Sequence, residues 1–273
     1  MFKKKYFVYA VSMLIVAAGC NTQPKQEQAK AETVPASEVE DVWKDYDTGK
    51  VLFEDKAPDT EGSKIYHRIV TDPESYIQEQ ARTVLATLYD SPEDSIAPVY
   101  EIHYTLEDIK GVSAKGGDHG NISIFYSTQH IEKSFADQDT AKLFFETRGV
   151  LLHELTHAYQ LEPQGIGNYG NSKVFWAFIE GMADAVRVAN GGFHGEADRP
   201  KGGNYMDGYR TAGYFFVWLR DNKDKDFLRK FNRSTLEVVP WSFDGGIKYA
   251  LGEQYNIDDL WHEYQVAVGD IKE

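Results

Sequence analysis

Two histidines four residues apart, the first followed directly by a glutamate, stand at His153-Glu154-Leu155-Thr156-His157. On an α-helix each residue advances about 100°, so positions i and i+4 are offset by only about 40° and one turn in height. Both imidazoles can then reach a single zinc ion, and Glu154 points in an adjacent direction, where its carboxylate can take a proton from an attacking water. The flanking sequence supports a long helix over roughly 140–160, with Phe144, Leu151, Leu155 and Ala158 near one stripe. One face of that helix is thus expected to serve a metal and another the core.

A catalytic zinc takes three protein ligands and keeps a fourth position open. One known pattern needs glycine and histidine three and six residues past His157; Gln160 and Pro163 stand there, which excludes it. Glu180 is the candidate third ligand, on a helix expected over 173–190 that the Gly- and Asn-rich run 162–172 allows to fold back. His194, on the loop after that helix, is the reserve. Asp184 lies one turn beyond Glu180, where it can accept a hydrogen bond from the free ring nitrogen of His153, fixing the tautomer and raising ligand basicity. The apolar neighbours Ile179, Met182 and Ala183 predict that this stretch is buried. His67, His103, His119, His130 and His262 lack ligand spacing and are expected to be structural or exposed.

The rest of the chain reads as α+β. In the N-terminal half, Lys50 to Phe53, Lys64 to Val70, Pro98 to Leu106 and Asn121 to Ser127 read as strands, the last with Ile122, Ile124 and Tyr126 on one face. Gly116, Gly117 and Gly120 mark a turn. Between them Asp72 caps and Pro73 opens a helix that runs to about Tyr89. The C-terminal half is mainly helical, with further helices near 207–220, 227–231 and 257–268. Hydrophobic residues at 42%, aromatics at 14% and a single cysteine predict one packed domain over 43–273 that needs no disulfide.

Lys3, Lys4 and Lys5 precede an apolar stretch from Tyr6 to Val16 that is too short to span a bilayer, and Ala17-Ala18-Gly19-Cys20 follows. This resembles a bacterial lipoprotein signal: a leader over 1–19, a lipidated Cys20, and a tether over 20–42 that has no aromatic residue before Trp43. It implies a lipid-anchored place in the bacterial cell envelope, and Asn21 rather than Asp after Cys20 fits the outer membrane, on its periplasmic or surface face. Ordinary cleavage near Gly19, giving a secreted protein, is the alternative. The net charge of −14 argues against nucleic acid and anionic lipid as partners of the body, so membrane contact is expected through the lipid alone. A monomer is expected.

His-Glu-Leu-Thr-His with a downstream Glu-Gly-Met-Ala-Asp resembles the gluzincins, the thermolysin-like metallopeptidases. Closer still, Gly149 to Gln160, then Ile179 to Arg187, then Thr211-Ala212 before an aromatic helix, is similar to the plant and bacterial basic secretory protein family of peptidases. The resemblance implies a zincin-like fold and zinc-dependent hydrolysis of peptide bonds, with Glu154 as general base and a peptide or protein as substrate. It also implies a donor for the oxyanion, for which Tyr205, Tyr209 and Tyr214 lie in the right region and Tyr209 is favoured. The strand Asn121 to Ser127 precedes the zinc helix as the substrate-edge strand does in related folds, so a peptide could add to it. Two other readings are a zincin-fold binding or adhesion module, which an intact Glu154 argues against, and a hydrolase of another amide such as a cell-wall or glycopeptide bond.

Overall fold

The computed structural model describes residues 41–272; the segments expected to be a leader and a tether, with Cys20 between them, lie outside the described residues up to residue 40. The first half holds β1 (Lys50–Asp55), α1 (Glu61–Ile69), α2 (Pro73–Leu88), β2 (Glu101–Glu107), β3 (Ser113–Asp118), β4 (Asn121–Ser127) and α3 (Thr128–Ser134). The second holds α4 (Thr140–Tyr159), α5 (Lys173–Ala189), α6 (Tyr209–Asn222), α7 (Phe227–Glu237), α8 (Phe243–Leu251) and α9 (Ile257–Ala267). The fold is α+β, as the sequence predicts, with one small mixed sheet and a helical C-terminal half.

The strands run in the order β1-β2-β4-β3, with β1, β2 and β4 parallel and β3 antiparallel to β4. Val51, Ile102 and Ile122 lie in register across the three parallel strands. Alternate residues Ile102, Tyr104 and Leu106 of β2 and Ile122, Ile124 and Tyr126 of β4 are buried, which is what period-two patterning requires of a sheet with a covered face. α2 packs on β1 and α4, and α4 lies against β3.

Four sequence expectations change. Lys64 to Val70 is not a strand but most of α1: Thr60 caps it by accepting from the Ser63 N–H, and Gly62, Ser63, Ile65 and Tyr66 are buried at the three- and four-residue spacing of a helix face. Gly116 and Gly117 belong to β3, and only His119 and Gly120 turn the chain. β4 is therefore paired on both sides and cannot accept an added strand; the sheet edge beside α4 is β3. On α4, Leu143 is buried while Phe144 is exposed, one residue around the helix from the expected stripe. α3 and α8, of seven and nine residues, are further helices that the sequence reading does not include.

α4 begins where Asp139 accepts the Lys142 N–H and ends at Gln160, whose backbone turns extended. The Leu161 N–H then donates to Asn232 Oδ1 at 2.9 Å, so the departing chain is tied to α7. α5 starts at the Ser172 cap and stops at Asn190, before Gly191 takes a left-handed φ of 69°. α5 runs close to α6 because Gly213 has no side chain: a Cβ there would sit 2.8 Å from the Asp184 carbonyl carbon. That close approach sets the distance between the α5 carboxylates and the start of α6. Phe178, Phe215, Phe216 and Phe231 are fully buried around these helices, each contributing about 1.5–3 kcal/mol of burial.

Candidate metal centre

The two histidines of α4 present their Nε2 atoms to each other at 3.0 Å. From α5, Glu180 Oε2 comes to 3.3 Å from His153 Nε2 and 3.7 Å from His157 Nε2. The three side chains are nearly buried, at 12%, 13% and 4% exposure, and offer one ligand atom each within 4.8 Å of one another. Sequence reasoning named these three, and the fold brings all three together. His194 is exposed, with its ring edge against Phe145, and takes no part.

The group fits a cation on grounds internal to the molecule. Glu180 Oε2 is buried and has no hydrogen-bond partner among the described residues, whereas Oε1 accepts from the Tyr169 hydroxyl at 2.6 Å. A buried acceptor without a donor is costly. Glu154, Glu180 and Asp184 are all buried within the same region, at 6%, 3% and 4% exposure, and three buried carboxylates need positive charge nearby. Two imidazoles and one carboxylate are donors suited to first-row divalent metals. No ion is needed to see which atoms would hold one: His153 Nε2, His157 Nε2 and Glu180 Oε2.

Each of these groups is oriented from behind. Asp184 Oδ1 accepts from His153 Nδ1 at 2.7 Å, as the one-turn spacing from Glu180 predicts. Gln160 places its amide 2.7 Å from His157 Nδ1. Gln160 follows His157 by three positions, so its place on the same face of α4 was legible from helical spacing. Tyr169 had no such signal, because it lies on the loop between α4 and α5, where no period applies.

Glu154 faces β3. Burial raises its pKa, with the neighbouring His153, the Ser113 hydroxyl and the Lys115 main-chain N–H working against the rise, so the carboxylate is a better proton acceptor than an exposed one. Tyr209 stands at the first position of α6 with a left-handed φ of 41°, a strained conformation for a bulky residue. Its ring stacks on His153 at 6.0 Å between centroids and meets Trp176 edge-on at 5.5 Å. Burial and the nearby Glu180 raise its pKa, so it remains a phenol and a donor at neutral pH. The other two tyrosines considered are engaged elsewhere, Tyr205 with Asp258 and Tyr214 with the Gly195 carbonyl.

All of this lines a cleft of about 1070 Å³ bounded by Ser113, Ala114 and Lys115 of β3 on one side and Tyr169 and Tyr209 on the other. Farther along, Glu146 joins His130 at 2.8 Å and Arg187 at 2.7 Å. Burial opposes the Glu146 charge, but those two partners hold its pKa low, so His130 is structural, as its sequence context implied.

Without a cation the two imidazoles differ. For His153 burial opposes charge, yet Asp184 and Glu180 carry its pKa up to about 10. Burial first, then the adjacent His153, pushes His157 down to about 3. At neutral pH the pair therefore holds one extra proton, on His153, and a metal must expel it. Metal affinity is expected to rise about tenfold per pH unit from pH 6 to 9, with close to one proton released per ion. Calorimetric titration in buffers of different ionisation enthalpy checks this, and uptake without proton release counts against the assignment.

A family model described as BSP, peptidase of plants and bacteria, matches residues 48–264, well over half of the chain. No curated protein matches the sequence.

Proposed function

Because this chain belongs to the BSP family, the peptidases of plants and bacteria, we propose that it is a zinc-dependent endopeptidase with its ion on His153, His157 and Glu180. One observation carries the reading: two imidazole nitrogens and an unpartnered carboxylate oxygen converge in the wall of a cleft, beside a second buried carboxylate, Glu154, that is not one of the three.

The chemistry that zinc supplies when bound is Lewis acidity, which polarises a carbonyl and lowers the pKa of water. Glu154 takes the proton of the attacking water and delivers it to the leaving amine, a task its raised pKa favours. Tyr209, beside His153 and protonated at neutral pH, donates to the oxyanion of the tetrahedral intermediate. A peptide lies along β3, whose outer edge is free of any strand among the described residues, and pairs with its backbone; this moves the docking strand from β4 to its neighbour. Tyr169 holds the second oxygen of Glu180, leaving one oxygen to face the histidines. Asp184 keeps His153 turned toward the same point.

The N-terminal Lys3 to Cys20 segment supports a place outside the cytoplasm, tethered through a lipidated Cys20. No helix among the described residues is long and apolar enough to cross a membrane.

Incubation of the purified protein with a mixed peptide library tests the activity. Cleavage at internal bonds is expected, lost on exhaustive chelation and restored by zinc. Cleavage that survives proven removal of metal would sink the metallopeptidase reading.

A further inference from the structure

The two candidate histidines are supported from behind by unlike groups. A carboxylate, Asp184, faces His153 Nδ1, whereas the neutral amide of Gln160 meets His157 Nδ1 through its nitrogen, Nε2, at 2.7 Å. Gln160 is 6% exposed, and its Oε1 is buried with no hydrogen-bond partner among the described residues. No donor holds that oxygen in place, so the amide can present either end to the ring.

The two ends have opposite consequences for a cation. If the amide N–H points at the ring, His157 Nδ1 must be the acceptor, and the ring proton moves to Nε2, between His153 and Glu180. That proton occupies the space a cation needs. If the amide oxygen points at the ring, it accepts the Nδ1–H, and His157 Nε2 is left with a bare lone pair directed at His153 Nε2 and Glu180 Oε2. Asp184 imposes the same choice on His153, since a carboxylate only accepts. Only the second arrangement leaves both Nε2 atoms free at once.

We propose that Gln160 is a positioning residue for the metal centre: its side-chain oxygen accepts the His157 Nδ1–H and so selects the tautomer that can bind the ion. The inference rests on the metal reading above. It also accounts for an amide at this place. Glu154, Glu180 and Asp184 already bring three carboxylates to the site, and a neutral acceptor orients the ring without adding a fourth negative charge.

Gln160→Met and Gln160→Glu, made in the full chain, separate this role from packing. Methionine has nearly the same length and no acceptor oxygen. Zinc affinity, read by competition with a chromogenic chelator, is expected to fall about 10–100-fold in Gln160→Met, as for loss of an outer partner of a ligand histidine. Gln160→Glu keeps the oxygen and is expected to bind zinc at least as tightly as wild type. Unchanged affinity in Gln160→Met, or an equal loss in both variants, overturns the proposal while wild-type binding leaves the metal reading standing. A wild-type protein that takes up no zinc overturns both.

Discussion

Glu154→Gln is expected to cut turnover on any cleaved peptide by about 10²–10⁴-fold or more, the range that a positioned general base supplies, while metal content stays at the wild-type level. Glutamine matches glutamate in shape but cannot accept the proton, and Glu154 is not one of the three atoms that converge on the cation position. Its surroundings change little, because the Lys115 N–H that helps hold the Glu154 pKa down can donate to an amide oxygen as well as to a carboxylate. Elemental analysis and kcat measured on the same preparation distinguish the outcomes. Full activity in a metal-replete Glu154→Gln protein removes this residue as the base.

The second large effect is on binding. Glu180→Ala removes one of three donors, and the loss of zinc affinity should exceed the ~10–100-fold typical of an outer partner. The fold should survive: a buried charge is removed rather than created, and the Tyr169 hydroxyl, half exposed on its loop, can turn to water. The His153 pKa should fall below its present value of about 10, because Glu180 is one of the groups that raise it. Chelator competition reads the affinity, and thermal melting of the metal-free protein reads the fold. A variant that keeps wild-type affinity would show that α5 does not supply the third ligand.

These two residues differ in how openly the sequence declared them. Glu154 is fixed by its neighbours, since a helix through Leu151, Leu155 and Ala158 leaves it one place to point. Glu180 needed a further assumption, that the loop over 162–172 returns the chain alongside α4. The loop does so through left-handed glycines at Gly165 and Gly167 and a backbone contact from Gln164 to Trp241, none of which has a period to read.

What the sequence determined was local. Helical spacing placed both imidazoles on one face and put Asp184 one turn from Glu180, and Asp72 marked the start of α2. The strand alternation of β4 was equally plain. What tertiary structure alone decided was which edges and loops meet. β3, whose glycines look like a turn, became the sheet edge beside α4; Tyr169 reached Glu180 from an aperiodic loop; and Tyr209 was set over His153 by a strained first residue of α6. Helix and strand periods arise from backbone geometry within a few residues, whereas those juxtapositions depend on packing between segments far apart in the chain, such as the contact that Gly213 allows between α5 and α6.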